Sequence, residues 1–151
     1  MTITLNHTIV VCHDKHQSAR FLADILGLEI SGVWGPFVSL VVPPVALDFI
    51  DITDYQAAKS DLIEPQHYAF LMNEEEFDGV FDRIKAAGIE YFADQFLEEA
   101  GQINHNYDGR GVYLRDPSGH IIECITQPYK GTPHGAEKGR WSGAIDQITE
   151  A

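Results

Sequence analysis

Residues 5–30, LNHTIVVCHDKHQSARFLADILGLEI, and residues 65–91, PQHYAFLMNEEEFDGVFDRIKAAGIEY, are two versions of one pattern. Laying His7 on His67 brings an apolar run onto an apolar run and an amphipathic stretch onto an amphipathic stretch. One inserted residue then aligns Gly27-Leu28-Glu29 with Gly88-Ile89-Glu90. No other feature constrains the fold as strongly, because each copy has to build the same unit and the two have to bury their apolar faces together.

The local signals agree in both copies. His7 to Val11 and His67 to Met72 are short apolar runs with β-branched or aromatic members, the mark of a largely buried strand. Asp14 with Gln17, and Asn73 with Glu76, have the capping-box spacing that opens a helix. Phe21, Leu22, Ile25 and Leu26 form one apolar helical face; Phe77, Val80, Phe81 and Ile84, at i, i+3, i+4 and i+7, form the other. Gly27 and Gly88 stand where a left-handed residue ends each helix. Short strands follow at about 28–33, 36–42 and 46–51, with Pro43-Pro44 at a turn. In the second copy they fall at about 89–93, 111–115 and 120–126, with the turn Asp116-Pro117-Ser118-Gly119. The expected architecture is α+β: two tandem βαβββ modules, about 3–51 and 66–126, forming a curved mixed sheet around a cleft in one domain, 1–128. Residues 52–65 read as a linker with a short helical turn, and 129–151 as a Gly-rich polar tail packed by Trp141.

The composition narrows the function classes. With 44% hydrophobic residues, a chain of 151 residues can bury a core for one domain. A net charge of −13 with no Lys/Arg cluster repels a phosphate backbone, so no nucleic-acid partner is expected. No apolar run of about 18 residues is present to cross a membrane. The N-terminal residues carry no secretory signal pattern, and the expected location is cytoplasmic. Cys12 and Cys124 each sit in an apolar stretch and read as buried, reduced thiols.

The repeat also places chemistry. The first strand of each copy begins with a histidine, His7 and His67, and the last strand carries an acid in an apolar run, Asp48 in VALDFI and Glu123 in HIIECI. A carboxylate among Ile121, Ile122, Cys124 and Ile125 is costly to bury without a partner. A metal ion bound by imidazoles and carboxylate removes that cost. His7, His67 and Glu123 are therefore the expected ligands of one divalent ion at the centre of the cleft. Two His and one carboxylate with open positions suit Fe(II), and also Zn, Mn, Ni or Co; iron or zinc is favoured. Taken singly, each of these residues also fits a core or edge-strand role.

With these residues in hand, the chain resembles the vicinal oxygen chelate superfamily, which includes glyoxalase I, extradiol dioxygenases, fosfomycin resistance enzymes and bleomycin-binding proteins. The resemblance covers residues 3–128, and its most specific segment is GVYLRDPSGHIIECI, a strand, a DPxGH turn and the strand with the ligand Glu. It implies the ligand set His7, His67 and Glu123. The resemblance to glyoxalase I adds a fourth ligand at the position of Asp48, where those enzymes carry Glu. Tyr113, ten residues before Glu123, stands where dioxygenase and fosfomycin-resistance members direct a Tyr at the substrate. A half-buried strand tyrosine is the alternative. The resemblance further implies a homodimer and a small-molecule substrate with adjacent oxygens.

The long connection 94–110 reads as a lid or binding loop. Within it His105 is a candidate acid or base, and Arg110 and Tyr107 are candidate substrate contacts; solvated loop residues are the alternative. His120 reads as a turn residue, His13 and His16 as surface residues, and His134 has no assigned role. Trp34, Phe37, Phe49 and Phe92 fit either pocket walls or the core. The sequence therefore points to a divalent-metal-dependent enzyme, dioxygenase-like or a glyoxalase-like lyase or isomerase. The competing class is a metal-free drug- or metabolite-binding protein of the bleomycin-resistance kind.

Overall fold

In the first module, His7–Cys12 forms β1, Lys15–Leu26 forms α1, and β2 (Gly32–Trp34), β3 (Phe37–Val42) and β4 (Val45–Asp51) follow. In the second, β5 is His67–Leu71, α2 is Glu74–Ala86, and β6 (Gly111–Arg115) and β7 (Ile121–Ile125) come after a 3₁₀ turn at Asn106–Asp108. These elements belong to a computed structural model that describes residues 3–129; the readings of His134 and Trp141 lie outside the described residues.

Local chemistry sets the helix ends. The Asp14 side chain accepts from Gln17 N, and at α2 the reciprocal capping box of Asn73 and Glu76 is complete. Gly27, at φ 70°, ends α1 in the left-handed region. A larger residue would also press on a neighbour. A Cβ there would sit 2.9 Å from the guanidinium of Arg83, whose Nε donates to Ile25 O at 2.8 Å and fastens α2 across the C-terminus of α1.

The two modules share one topology, and each builds its own sheet. The first has the order β1-β4-β3-β2 and the second β5-β7-β6, so in both the first strand lies parallel to the last. The strand expected at 89–93 shrinks to a bridge at Phe92, which pairs with Tyr113 on one side and Ala100 on the other. The reason is Asp94. Its carboxylate accepts the backbone N–H groups of Phe96, Glu98 and Glu99, and so turns the chain away from β6. Residues 52–61 form turns and bends with no helix, the first tightened by Asp54 N–H to Asp51 O and Tyr55 N–H to Ile52 O, where a short helical turn was expected.

A single apolar cluster runs through both modules and includes Val10, Leu22, Ile25, Phe49, Phe77, Ile84, Leu114 and Ile122. It places Phe49 in the core and leaves Trp34 exposed. Cys12 and Cys124 are free and buried, and burial pushes both thiols up to about 12, so they stay protonated at neutral pH. The modules are also bolted together by His120, only 1% exposed. Its Nδ1 accepts from Gln66 N at 2.9 Å, so the proton sits on Nε2, which donates to Val11 O at 2.7 Å. One imidazole thus ties β1 to the residue just before β5. No helix among the described residues is long and apolar enough to cross a membrane.

Candidate metal centre

Register fixes what can meet on each sheet. In the first module His7 pairs with Ala46 and Ile9 with Asp48; in the second His67 pairs with Ile121 and Ala69 with Glu123. Alternate residues share a face of a strand, so His67 and Glu123 project from the same side, as His7 and Asp48 do. On the other flank Asp48 faces Ser39 and Glu123 faces Tyr113. The two modules therefore carry the same triplet, His–acid–hydroxyl, at equivalent positions.

In the second module the triplet closes into a network. Glu123 is 3% exposed, and its Oε2 lies 2.8 Å from His67 Nε2. Tyr113 donates to Oε1 at 2.7 Å, Tyr129 donates to the same oxygen, and the two phenol oxygens are 2.9 Å apart. Two phenol protons serve three oxygen–oxygen contacts. Either both point at Oε1, or one phenol donates through the other. Burial raises Tyr113 well above the usual phenol range and pushes Tyr129 up to about 12, with Glu123 adding to both shifts. Both phenols therefore act as donors at neutral pH. They and the imidazole answer the cost of burying the carboxylate. The His67 ring meets Tyr113 edge-on, with centroids 6.0 Å apart, and its side chain is 40% exposed, so the network opens to solvent on that side.

In the first module the triplet stays apart. Asp48, 4% exposed, accepts the Ser39 hydroxyl at 2.6 Å, and Ser39 in turn accepts the Trp34 indole N–H at 3.1 Å. His7 is exposed and turns its Nδ1 to Asn6 Oδ1, at 2.8 Å. Among the described residues, no three His, Cys, Asp or Glu side chains converge closely enough to hold a metal ion. One chain thus brings together His67, Glu123 and Tyr113, and leaves His7 and Asp48 on their own sheet.

The connection 94–110 meets the network at Tyr107. Tyr107, with Asp108 in the left-handed region (φ 56° and 62°), packs its ring on Tyr129 with centroids 5.3 Å apart. His105 is exposed at the start of the same 3₁₀ turn. Arg110 is engaged with α2: Nε donates to Glu74 and Nη1 to Asp78, each at 2.7 Å, and the guanidinium lies 4.5 Å from the Phe77 ring centroid. These contacts make it a clasp between the connection and α2. A groove of about 870 Å³, walled by residues such as Leu5, Val45, Leu47, Phe70 and Leu71, runs between the modules and reaches His67.

Sequence reasoning missed Tyr129, which it assigned to the tail. The only signal was position, an aromatic residue a few places beyond the strand that carries the acid. It also missed the Trp34–Ser39–Asp48 relay, for which strand register would have been needed.

A family model described as Glyoxalase/Bleomycin resistance protein/Dioxygenase superfamily matches residues 4–124. The chain is 25% identical over 145 residues to the glutathione transferase FosA of Serratia marcescens, covering 87% of this chain and 94% of that protein. Among solved structures, oxidase ChaP-H2 is 50% identical, with 90% of this chain and 100% of that chain covered and a TM-score of 0.79. Oxidase ChaP-H1 is 46% identical, with 86% and 100% covered and a TM-score of 0.76.

Proposed function

The chain belongs to the glyoxalase/bleomycin resistance protein/dioxygenase superfamily, and on that premise we propose that it is a divalent-metal-dependent enzyme that oxidises a small substrate bearing two adjacent oxygens. The observation that carries this reading is the His67–Glu123 pair, an imidazole and a buried carboxylate 2.8 Å apart on one face of a sheet. This is a nitrogen and oxygen donor set that borderline first-row ions accept, and the carboxylate has already been stripped of water by the fold. When bound, the ion supplies Lewis acidity and a template for the two substrate oxygens.

His67 and Glu123 come from one chain. The third ligand is His7 of a second copy, because His7 holds the position equivalent to His67 and within its own chain faces Asn6. This makes the protein a homodimer with ligands shared across the interface. Asp48, occupied by Ser39, stays out of the ligand set, which keeps coordination positions open and favours dioxygenase-like over glyoxalase-like chemistry. The two oxidases among the similar structures support the same direction, and a set of two His and one carboxylate with open positions makes iron the preferred metal. Tyr113, protonated and donating to the ligand carboxylate in the free protein, turns that single proton to a substrate oxygen when substrate binds, and Tyr129 then remains as the donor to Glu123 Oε1. Tyr107, packed on Tyr129, is the contact that the connection offers toward the site, with His105 exposed two residues before it, and Arg110 holds that connection on α2.

A mixed dimer tests the shared site. His7→Ala and Glu123→Ala each remove one ligand and are expected to purify without metal. Co-expressed and isolated as the heterodimer, they rebuild one complete site, and metal returns. Recovery in the mixed dimer and in neither parent is the expected result; a heterodimer as empty as its parents contradicts ligation across the interface.

A further inference from the structure

Building on the metal reading above, we infer that Tyr129 is a positioning residue that, together with Tyr113, restricts Glu123 to a single coordinating oxygen. The two carboxylate oxygens have different surroundings. Oε2 faces His67 Nε2, while Oε1 receives the hydroxyls of both Tyr113 and Tyr129. With both phenol protons on Oε1, the lone pairs a second metal bond would need are spent; with one phenol donating through the other, both hydroxyls still lie against Oε1 and stand in the way of that bond. Glu123 is 3% exposed, so water does not readily replace a phenol that lets go. Chelation through both oxygens would therefore require both phenols to be displaced. It would also fill a coordination position that a substrate with two adjacent oxygens needs.

Comparison of the two modules makes the point specific. Asp48, at the equivalent register, accepts from Ser39, and the second donor of that module, Trp34, goes to Ser39 rather than to the acid. The direct second donor on the carboxylate belongs to the half that contributes Glu123. It comes from beyond β7, six residues after the ligand, and its ring is braced by Tyr107 of the 3₁₀ turn. A hydroxyl carried outside both sheets thus sets the ligand's orientation. Outer-shell donors of this kind typically change metal affinity about 10- to 100-fold when removed.

The test uses the full-length protein loaded with cobalt(II), whose visible absorption weakens as coordination number rises. The expected result for Tyr129→Phe is an unchanged circular dichroism spectrum, stoichiometric cobalt, weaker visible absorption than wild type and an affinity shifted by about 10- to 100-fold. The pair Tyr113→Phe/Tyr129→Phe goes further in the same direction, and Tyr107→Phe, which keeps the bracing ring, leaves the spectrum as in wild type. Superimposable spectra and equal affinities for wild type and Tyr129→Phe overturn the inference alone. A wild type that takes up no cobalt overturns the metal reading, and the inference with it.

Discussion

Glu123→Ala should lose its metal almost completely while keeping its fold. The substitution removes the carboxylate that His67, Tyr113 and Tyr129 all address. Two opposing terms decide its effect on the metal-free protein. Removing a buried charge relieves a desolvation cost, whereas phenols and an imidazole left without an acceptor cost about 1–3 kcal/mol each. Tyr113 and Tyr129, 2.9 Å apart, can still bond each other, so the net loss is expected near the lower end of that range. Metal affinity behaves differently. Loss of an outer-shell partner costs about 10- to 100-fold, and loss of a ligand in a three-ligand set costs more. Glu123→Gln separates the two effects, because it keeps the shape and one carbonyl acceptor but not the charge. The expected pattern, by urea melts alongside metal titrations, is near-wild-type stability for Glu123→Gln with metal binding as poor as in Glu123→Ala. A Gln variant that binds metal as tightly as wild type would remove Glu123 from the ligand set.

His120→Ala should have the largest effect on stability. The imidazole is 1% exposed and uses both nitrogens, accepting from Gln66 N and donating to Val11 O. Alanine takes the partner from the Gln66 N–H and the Val11 C=O, at about 1–3 kcal/mol each and nearer the lower end because both contacts are only part-buried, and it adds a cavity where the fully buried ring stood. A loss of about 3–5 kcal/mol follows, a large share of the roughly 5–15 kcal/mol that holds a typical domain folded. Two further variants locate the contributions. His120→Asn keeps an acceptor near Nδ1 and His120→Gln keeps a donor near Nε2, so each is expected between wild type and alanine in chemical denaturation. An alanine variant within about 0.5 kcal/mol of wild type, the range of ordinary surface substitutions, would show that the modules are not bolted together there.

What the sequence disclosed and what it concealed divide along physical lines. The repeat carried His7, His67, Asp48, Glu123 and Tyr113 to their strands because strand order and period are local properties, and duplication checks one copy against the other. The same reasoning extended 89–93 into a full strand, since the pull of Asp94 on three backbone amides has no periodic signature. Interactions that depend on tertiary closeness were hidden. The imidazole of His120, expected in a turn, spans two modules, and the guanidinium of Arg110, a candidate substrate contact or a solvated loop residue by sequence, meets two carboxylates of α2. Tyr129 lay past the end of the repeat, where pattern gives no guidance. The separation of His7 from His67 within one chain was equally unreadable, because register places residues on a sheet and says nothing of how two sheets face each other.

The most direct test of the metal reading is the metal content of freshly purified wild-type protein, prepared without chelator or added metal and measured with its native mass. The expected result is close to one divalent first-row ion per chain, iron above all, carried by the dimer and absent from monomer. A dimer that carries no metal, or a monomer that retains it, would contradict a site built from His67 and Glu123 of one copy and His7 of the other.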